Sequence, residues 1–436
     1  MAWDFSTDPE YQAKLDWVQE FVKTEVEPLD LAFPHEAVYD KEHPVYRGVV
    51  KPLQQKVKEQ KLWACHLGPE LGGEGYGQVK LALMNEILGQ STWASTVFGT
   101  AAPDTGNAEI LAHYGTPEQK DKYLKPLLEG DIVSCFSMTE PQGGADPGVF
   151  TCHAERDGDE WVINGEKWFS SNLRWAKFAI VMAVTDPNVP IYQGASMFLV
   201  PTDTPGINII RNTGLAGEAP GEGAHAYVRY EDVRVPADNV LGGPGQAFVI
   251  AQTRLGGGRV HHAMRTVGMC QRALDMMCER AVSRTTQGGL LASKQLVQEY
   301  VADSYIELLQ FRLMVMHCAW IIDNSTDGRT PRKDIAAIKV ATAKIIKDIV
   351  FRAIQVHGSL GVSNEMPLAG MWSSAPIFGL ADGPTEVHKV TVARSVLKGY
   401  DPAPGLFPTQ HLPDRVAAAK AKFGEIVDHR VANFSE

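Results

Sequence analysis

Asp382 lies in the run Leu380-Ala381-Asp382-Gly383-Pro384-Thr385-Glu386-Val387-His388, behind an apolar stretch and ahead of a helical one. A carboxylate followed at once by Gly-Pro sits on a turn, because glycine frees the backbone and proline fixes φ. Val387, Val390, Thr391 and Arg394 then recur at helical spacing. One acid is thus presented at a loop-to-helix junction, where a ligand can reach it. Taken alone, such a residue is more often a solvated turn aspartate. Three other segments shift the balance.

The first is Cys135-Phe136-Ser137-Met138-Thr139-Glu140-Pro141-Gln142-Gly143-Gly144-Ala145-Asp146. A short strand here runs into a glycine-containing loop with exposed amides. Successive backbone N–H groups in such a loop form an anion pocket that suits a pyrophosphate. The run is neither GxGxxG nor a Walker loop, and a plain strand-loop connector reads equally well. The second segment is Lys167-Trp168-Phe169-Ser170-Ser171-Asn172. Its aromatics can cover a flat ring and its hydroxyls can bond that ring's edge, although a half-buried strand explains the same pattern. The third is Arg254-Leu255-Gly256-Gly257-Gly258-Arg259-Val260-His261-His262. Three glycines against a helix either admit a ligand chain or mark a break. Adjacent histidines point to different faces of a helix, whereas a metal pair wants i, i+4, so no metal site is expected.

These segments need a scaffold to bring them together. A chain of 436 residues predicts two or three subdomains. Hydrophobic content of 44% with 21% charged residues is that of an ordinary soluble globular protein. A net charge of −11 argues against nucleic-acid binding. No uninterrupted apolar run approaches the roughly 20 residues of a membrane span. The N-terminus carries neither signal-peptide nor transit-peptide character, and Asn433-Phe434-Ser435-Glu436 is no peroxisomal signal. The six cysteines, at 65, 135, 152, 270, 278 and 318, show no paired spacing and suit a reducing cytoplasm.

Residues 1–133 read as helices. Leu15, Val18, Phe21, Val22 and Val26 form one apolar face, and Thr116-Pro117 starts a helix that stops at Gly130. Residues 134–244 read as strands. Asp157-Gly158 and Asn164-Gly165 are expected as hairpin turns, and Phe178 to Val184, Ser196 to Val200 and Ala226 to Tyr230 as further strands. Helical spacing returns over 245–400. The tail, 401–436, opens with three prolines and carries a charged helix around Arg415 to Val427. Helices, then an antiparallel β insert, then helices form an α+β arrangement without the βαβ signal of a Rossmann sheet.

Taken together, the segments resemble the acyl-CoA dehydrogenase family over nearly all of residues 1–400. Gly115-Thr116-Pro117-Glu118-Gln119-Lys120, with Tyr123-Leu124 and Pro126-Leu127-Leu128-Glu129-Gly130, is similar to the family's helix before its β-domain. Thr139 to Asp146 resembles its flavin loop. Asn164 to Asn172 resembles the strand over the isoalloxazine ring. Phe248 and Arg259 to Asp275 resemble the helix lining the acyl channel. Arg284 with Thr285, Thr286, Gln295 and Gln298 resembles the segment reaching a neighbouring subunit's FAD, and Gln355-Val356-His357-Gly358 with Gly361 the adenosine-side loop. The fold implied is an N-terminal helical domain, a central antiparallel β-domain and a C-terminal four-helix bundle, usually assembled as a tetramer or dimer.

The resemblance implies a cofactor site for FAD from Phe136, Met138, Thr139, Gly144, Ala145, Phe169, Ser170, Ser171, Arg284, Gln295, Gln355, Gly358, Ser359, Pro384 and Glu386. It implies substrate contacts from Ala145, Leu255, Gly256, Arg259 and Gly383. Asp382 falls where most members have a catalytic Glu. Some members carry the base at the position of Gly258, which here has no side chain. This form of both segments resembles the subgroup typified by the tenth and eleventh human members, whose fused kinase-like domain does not occur in these residues. Ala145 stands where many relatives have Ser.

The activity implied is α,β-dehydrogenation of a medium, long or substituted acyl-CoA, with electrons passed to an electron-transfer flavoprotein. The thioester carbonyl must be polarised where enolate charge develops, which the family does with the base residue's backbone N–H and a ribityl hydroxyl. An apolar acyl channel is expected around the base. A flavin oxidase acting on nitroalkanes or acyl-CoA, and a catalytically silent flavin-binding module, are the alternatives.

Overall fold

The computed structural model describes residues 5–33, 39–218, 221–325 and 331–424. The chain divides into two compact units, Met1–Lys389 and Val390–Glu436.

The first unit opens with helices. Asp8 caps the helix Pro9–Phe21 by accepting from the Tyr11 N–H at 2.8 Å, and Tyr11, Leu15, Val18 and Phe21 are its buried stripe. Thr116 and Gln119 form a capping box around Pro117, as the sequence suggests. An eight-stranded sheet follows. Its strands are β1 (Ser134–Ser137), β2 (His153–Asp157), β3 (Glu160–Ser171), β4 (Phe178–Val184), β5 (Ala195–Pro201), β6 (Ile207–Thr213), β7 (His225–Pro236) and β8 (Val240–Leu241). The order is β6-β7-β3-β2-β4-β5-β8, with β1 also on β4.

The sheet departs from the sequence reading in two ways. It is not wholly antiparallel, because β1 and β2 both run parallel to β4. The chain between β1 and β4 is long enough for that crossover, which a tight hairpin could not make. Nor is Asn164-Gly165 a turn. Both residues lie inside β3, at a register shift against β7 between Ile163 and Gly165. Gly165 has φ +138°, and a Cβ there would lie 2.5 Å from the Cys152 Cα. The Asn164 amide is taken up by Asp232 on β7, through bonds of 3.1 and 2.8 Å. The dipeptide marks a bulge that bends the strand. Asp157-Gly158 does open the β2–β3 hairpin, where Asp157 pairs with Glu160. β6, rich in exposed residues, was not anticipated.

Four further helices matter for function: Ala247–Ser283, Gln295–Asp323, Arg332–His357 and Ala375–Leu380. The first, here the channel helix, is continuous for 37 residues, so its three glycines do not break it. Phe248, Ile250 and Ala251 pack on Ile110, Phe178 and Leu199, while Val260, Met264 and Val267 join Leu81, Met84, Phe311 and Ile346. One helix therefore spans two cores, and its glycines fall at the seam. It crosses the helix Gln78–Leu88 at backbone distance, since a Cβ on Gly268 would lie 1.8 Å from the Glu86 carbonyl oxygen.

The helix Gln295–Asp323 is long and apolar enough to cross a membrane, with 33% of its most apolar window buried. No uninterrupted run announces this, because Asp303, Glu307 and Arg312 punctuate it. Leu296, Tyr305, Ile306, Leu309 and Leu313 lie exposed along it. The last helix of the first unit begins at Thr385 within Thr385–Leu397. In the second unit the helix Leu412–Phe423 has no buried residue. The rest of the charged helix expected to Val427 lies outside the described residues.

Candidate active site

The channel helix supplies a stripe at Arg254, Gly258, His262 and Arg265, spaced four, four and three residues apart. The loop at 381–384 is laid against this stripe. Asp382 holds φ +56° and Gly383 φ +105°, so two consecutive residues are left-handed. That conformation is uncommon for a non-glycine residue and persists only when its surroundings hold it. Here the Asp382 carbonyl accepts from Arg259 Nε at 2.8 Å and lies 3.2 Å from His388 Nε2. A Cβ on Gly383 would sit 2.8 Å from that same His388 nitrogen, so Gly383 is required on both counts.

The carboxylate turns toward the helix. Its Oδ2 is 3.2 Å from where a Cβ on Gly258 would be. The two sequence positions at which a base could stand therefore meet at one point, and the glycine leaves room for the aspartate. His262 Nε2 lies 3.8 Å from the same oxygen, and the Asp382 side chain is 19% exposed. The Asp382 N–H donates to no described residue.

The surroundings are cationic, not apolar as expected. Arg254, Arg259, Arg265 and Lys339 each feel the Asp382 charge. Burial pushes Arg265 down to about 10 and Lys339 down to about 8, with Asp382 opposing both shifts. Lys339 also donates to the Phe378 carbonyl, and Arg265 Nη1 reaches Asn85 Oδ1 at 3.2 Å. Burial likewise lowers Arg254, whose Nε donates to Asn107 Oδ1 at 2.9 Å and whose guanidinium lies 4.0 Å from the Phe136 ring centre. Glu109, on the helix Asp104–Tyr114, is a further acid here. Burial pushes its carboxyl up to about 7 against the pull of Arg254, and its Oε2 lies 2.9 Å from a Cβ built on Gly257. Sequence reasoning missed Glu109, Arg265 and Lys339. The four-four-three stripe on the channel helix was a usable signal for Arg265; nothing local marks the other two.

The flavin-loop residues gather between β1 and β3. Lys167 and Glu140 form a fully buried ion pair at 2.8 Å, and Lys167 Nζ also donates to the Met138 carbonyl at 2.9 Å. The Glu140 carboxylate accepts from the N–H groups of Thr151 and Cys152, which leaves no lone buried charge. The Trp168 N–H donates to the Thr139 carbonyl at 2.8 Å, which locks the loop to β3. Beyond that lock, the N–H groups of Thr139, Gly144 and Ala145 donate to no described residue, and Gly144 and Ala145 are exposed. Three open amides beside a hydroxyl fit the edge or the pyrophosphate of a flavin nucleotide. Phe169 holds φ +53°, against Trp168 and His225. Ser171 Oγ pairs with His225 Nδ1 at 2.8 Å. Ser170 is different: the whole residue is buried, with its hydroxyl against Ser137 Oγ at 2.8 Å, so it presents no exposed group.

Pro384 and Glu386 flank Thr385 at the start of its helix, next to Asp382. Leu255 is partly buried beside the sheet core, and Gly256 faces open space. The remaining predicted residues are elsewhere. Arg284 follows the end of the channel helix, 26 residues from Gly258 (284 − 258), or about 39 Å along the axis. Gln295 begins the next helix; Gln355 and Gly358 close the helix Arg332–His357, with Ser359 after them. Gln295, Gln355, Gly358 and Ser359 are exposed. A single chain does not bring these to Asp382.

Three family models cover the chain: the acyl-CoA dehydrogenase N-terminal domain at residues 8–131, middle domain at 135–233 and C-terminal domain at 245–397. The chain belongs to the acyl-CoA dehydrogenase family. It is 41% identical over 353 residues to the probable acyl-CoA dehydrogenase FadE2 of Mycobacterium tuberculosis, covering 80% of this chain and 86% of that one. It is 41% identical over 388 residues to acyl-CoA dehydrogenase family member 10 of Mus musculus, covering 87% of this chain and 36% of that protein. It therefore spans less than half of that longer relative. Among solved structures, butyryl-CoA dehydrogenase of Megasphaera elsdenii matches with a TM-score of 0.78 at 26% identity, over 91% of this chain and all of the other. As a member of the acyl-CoA dehydrogenase family, the chain has FAD as its cofactor, and the open amides of the 139–145 loop are compatible with it.

Proposed function

We propose that this acyl-CoA dehydrogenase converts an acyl-CoA thioester to the trans-2-enoyl-CoA, with Asp382 as the base. The observation that carries the reading is the contact between Asp382 Oδ2 and the space above Gly258, which brings the family's two base positions to one point. The unpartnered Asp382 N–H is free to polarise the thioester carbonyl, where negative charge grows as the α-proton leaves. Arg259 and His388 hold the loop carbonyl, and so fix the backbone that carries the Asp382 N–H. Asp382 takes the α-proton. FAD, when bound, supplies the acceptor for the β-hydride. Thr139, Gly144, Ala145, Phe169 and Ser171 would hold the flavin ring and its near phosphate, with Pro384 and Glu386 bordering it. Leu255, Gly256 and Arg259 would line the acyl path.

Arg284, Gln295, Gln355, Gly358 and Ser359 serve the FAD of a neighbouring subunit in a homotetramer or dimer. The roughly 39 Å along the channel helix supports this, as does the apolar face left exposed on Gln295–Asp323. Electrons pass to an electron-transfer flavoprotein, and the six unpaired cysteines suit a cytoplasmic setting.

The test is an anaerobic titration of the purified flavoprotein with a panel of acyl-CoA esters. Bleaching of the flavin absorbance by at least one ester is expected, with dye reduction much faster than oxygen uptake. Rapid oxygen consumption would move the assignment to an oxidase. No bleaching by any ester would leave a binding module.

A further inference from the structure

We propose that His262 is a positioning residue for the base: its Nε2–H donates to Asp382 Oδ2 when acyl-CoA is bound, leaving Oδ1 to take the α-proton. The inference rests on the reading of Asp382 as the base.

His262 lies one helical turn beyond Gly258, on the face of the channel helix that looks at the 381–384 loop. Its ring stands edge-on to Phe378, with centroids 5.7 Å apart, so its orientation is restricted. Its two nitrogens have different neighbours. Nδ1 faces Arg265 Nη2 at 3.5 Å, and Nε2 faces Asp382 Oδ2 at 3.8 Å. A guanidinium can only donate, so Nδ1 must be the acceptor. In a neutral imidazole the proton then resides on Nε2, the nitrogen aimed at the carboxylate. Burial, reinforced by Arg265, pushes the imidazole down to about 4, so the neutral form is the working one. Arg254 and Arg265 from its own helix, Asp382 from the loop and Lys339 from Arg332–His357 are the charged groups that act on it. Arg265 is itself fixed by Asn85 Oδ1 and the Thr100 carbonyl, so the order Asn85, Arg265, His262, Asp382 sets one tautomer.

The remaining gap is the informative part. At 3.8 Å the pair is just beyond hydrogen-bond reach, while the Asp382 backbone is clamped from behind by Arg259 and His388. Gly258 leaves the carboxylate free to rotate about its own side chain. Catalytic hydrogen bonds are often long before substrate binds and tighten afterwards. Aspartate is one methylene shorter than the glutamate usual in the family, so a donor on one oxygen is a direct way to hold the other toward the substrate.

The test uses the FAD-loaded protein and an acyl-CoA ester that bleaches it. His262→Asn keeps an amide near Arg265 and is too short to reach Oδ2, whereas His262→Gln places an N–H where Nε2–H stands. Stopped-flow flavin reduction between pH 5.5 and 9 should be roughly 10-fold slower for His262→Asn, the usual worth of a hydrogen bond to a charged group. Its acid limb should move to higher pH, because a donor to the carboxylate favours the charged form. Binding of FAD and of a non-reducible 3-thia-acyl-CoA should stay within about twofold of wild type, and His262→Gln should recover most of the rate. A wild-type rate and limb in His262→Asn, or a His262→Gln variant equally slow with the same limb, overturns the proposal. In an Asp382→Asn background His262→Asn should add nothing. If Asp382→Asn alone is fast, the base reading fails; if it is slow but His262→Asn is silent, only this inference fails.

Discussion

The region around Asp382 and the region around Arg284 lie toward opposite ends of the same 37-residue helix, and they differ in kind. At the first, one chain brings together a carboxylate, a glycine that makes room for it, two histidines and four cations from three helices and a loop. At the second, Gln295, Gln355 and Gly358 are exposed. A helix that long is too stiff to fold its ends together, so sequence proximity cannot complete both sites in one subunit. The contrast separates the chemistry, which we assign to a single chain, from cofactor retention, which we assign to a pair of chains.

The sharpest way to break this comparison is at the base. Asp382→Asn keeps size and removes charge, and flavin reduction in stopped flow should slow by roughly 10²–10⁴-fold with FAD retained. Asp382→Glu should keep partial activity, because Gly258 leaves limited space for the added methylene. A near-wild-type Asn variant would mean that the base lies elsewhere.

The other end gives the complementary result. Arg284→Ala should weaken FAD binding by about 10–100-fold, the scale of one lost charge-assisted hydrogen bond. It should also reduce the assembly seen by light scattering, while subunits that keep FAD still bleach with substrate. Unchanged assembly and FAD affinity would remove Arg284 from any interface.

A smaller effect sharpens the role of the glycine. Gly258→Ala should lower the flavin-reduction rate by about 3–10-fold, because the new Cβ stands 3.2 Å from Oδ2. The same change should raise the thermal midpoint, since alanine stabilises a helix interior over glycine by up to about 1 kcal/mol. Rate and stability moving in the same direction would contradict the packing described here.

The smallest effect is on stability against pH. Burial holds His66 and His262 down at about 4, below the ordinary histidine value of about 6.5. The folded state then binds fewer protons than the unfolded one, so the stabilisation is complete above about pH 6.5 and is lost as pH falls toward 4. Each group contributes up to about 1.4 kcal/mol per pH unit across that window. Urea midpoints at saturating FAD should fall from pH 7 to 5, and His66→Phe should flatten the slope.

Much of this was legible in the residues themselves. The Thr116 cap, the Asp157-Gly158 hairpin and the paired segments around Thr139 and Asp382 depend on local chemistry, and local chemistry is written in order along the chain. The family resemblance extended that reading to the cofactor and to the helix-sheet-helix layout. Asn164-Gly165 was misread because the same dipeptide suits a turn or a bulge, and only its close approach to Cys152 and its pairing with Asp232 decide between them. The three channel glycines were ambiguous for the same reason. Whether they break a helix or make room depends on what packs against them, and Glu109 and Asp382 come from segments more than a hundred residues away on either side. The sequence alone determined which residue carries the acid and that it sits on a turn. Tertiary structure alone decided that the acid faces Gly258, that Arg265 and Lys339 surround it, and that His262 turns its Nε2 toward it, because charge, burial and tautomer are set by neighbours in space.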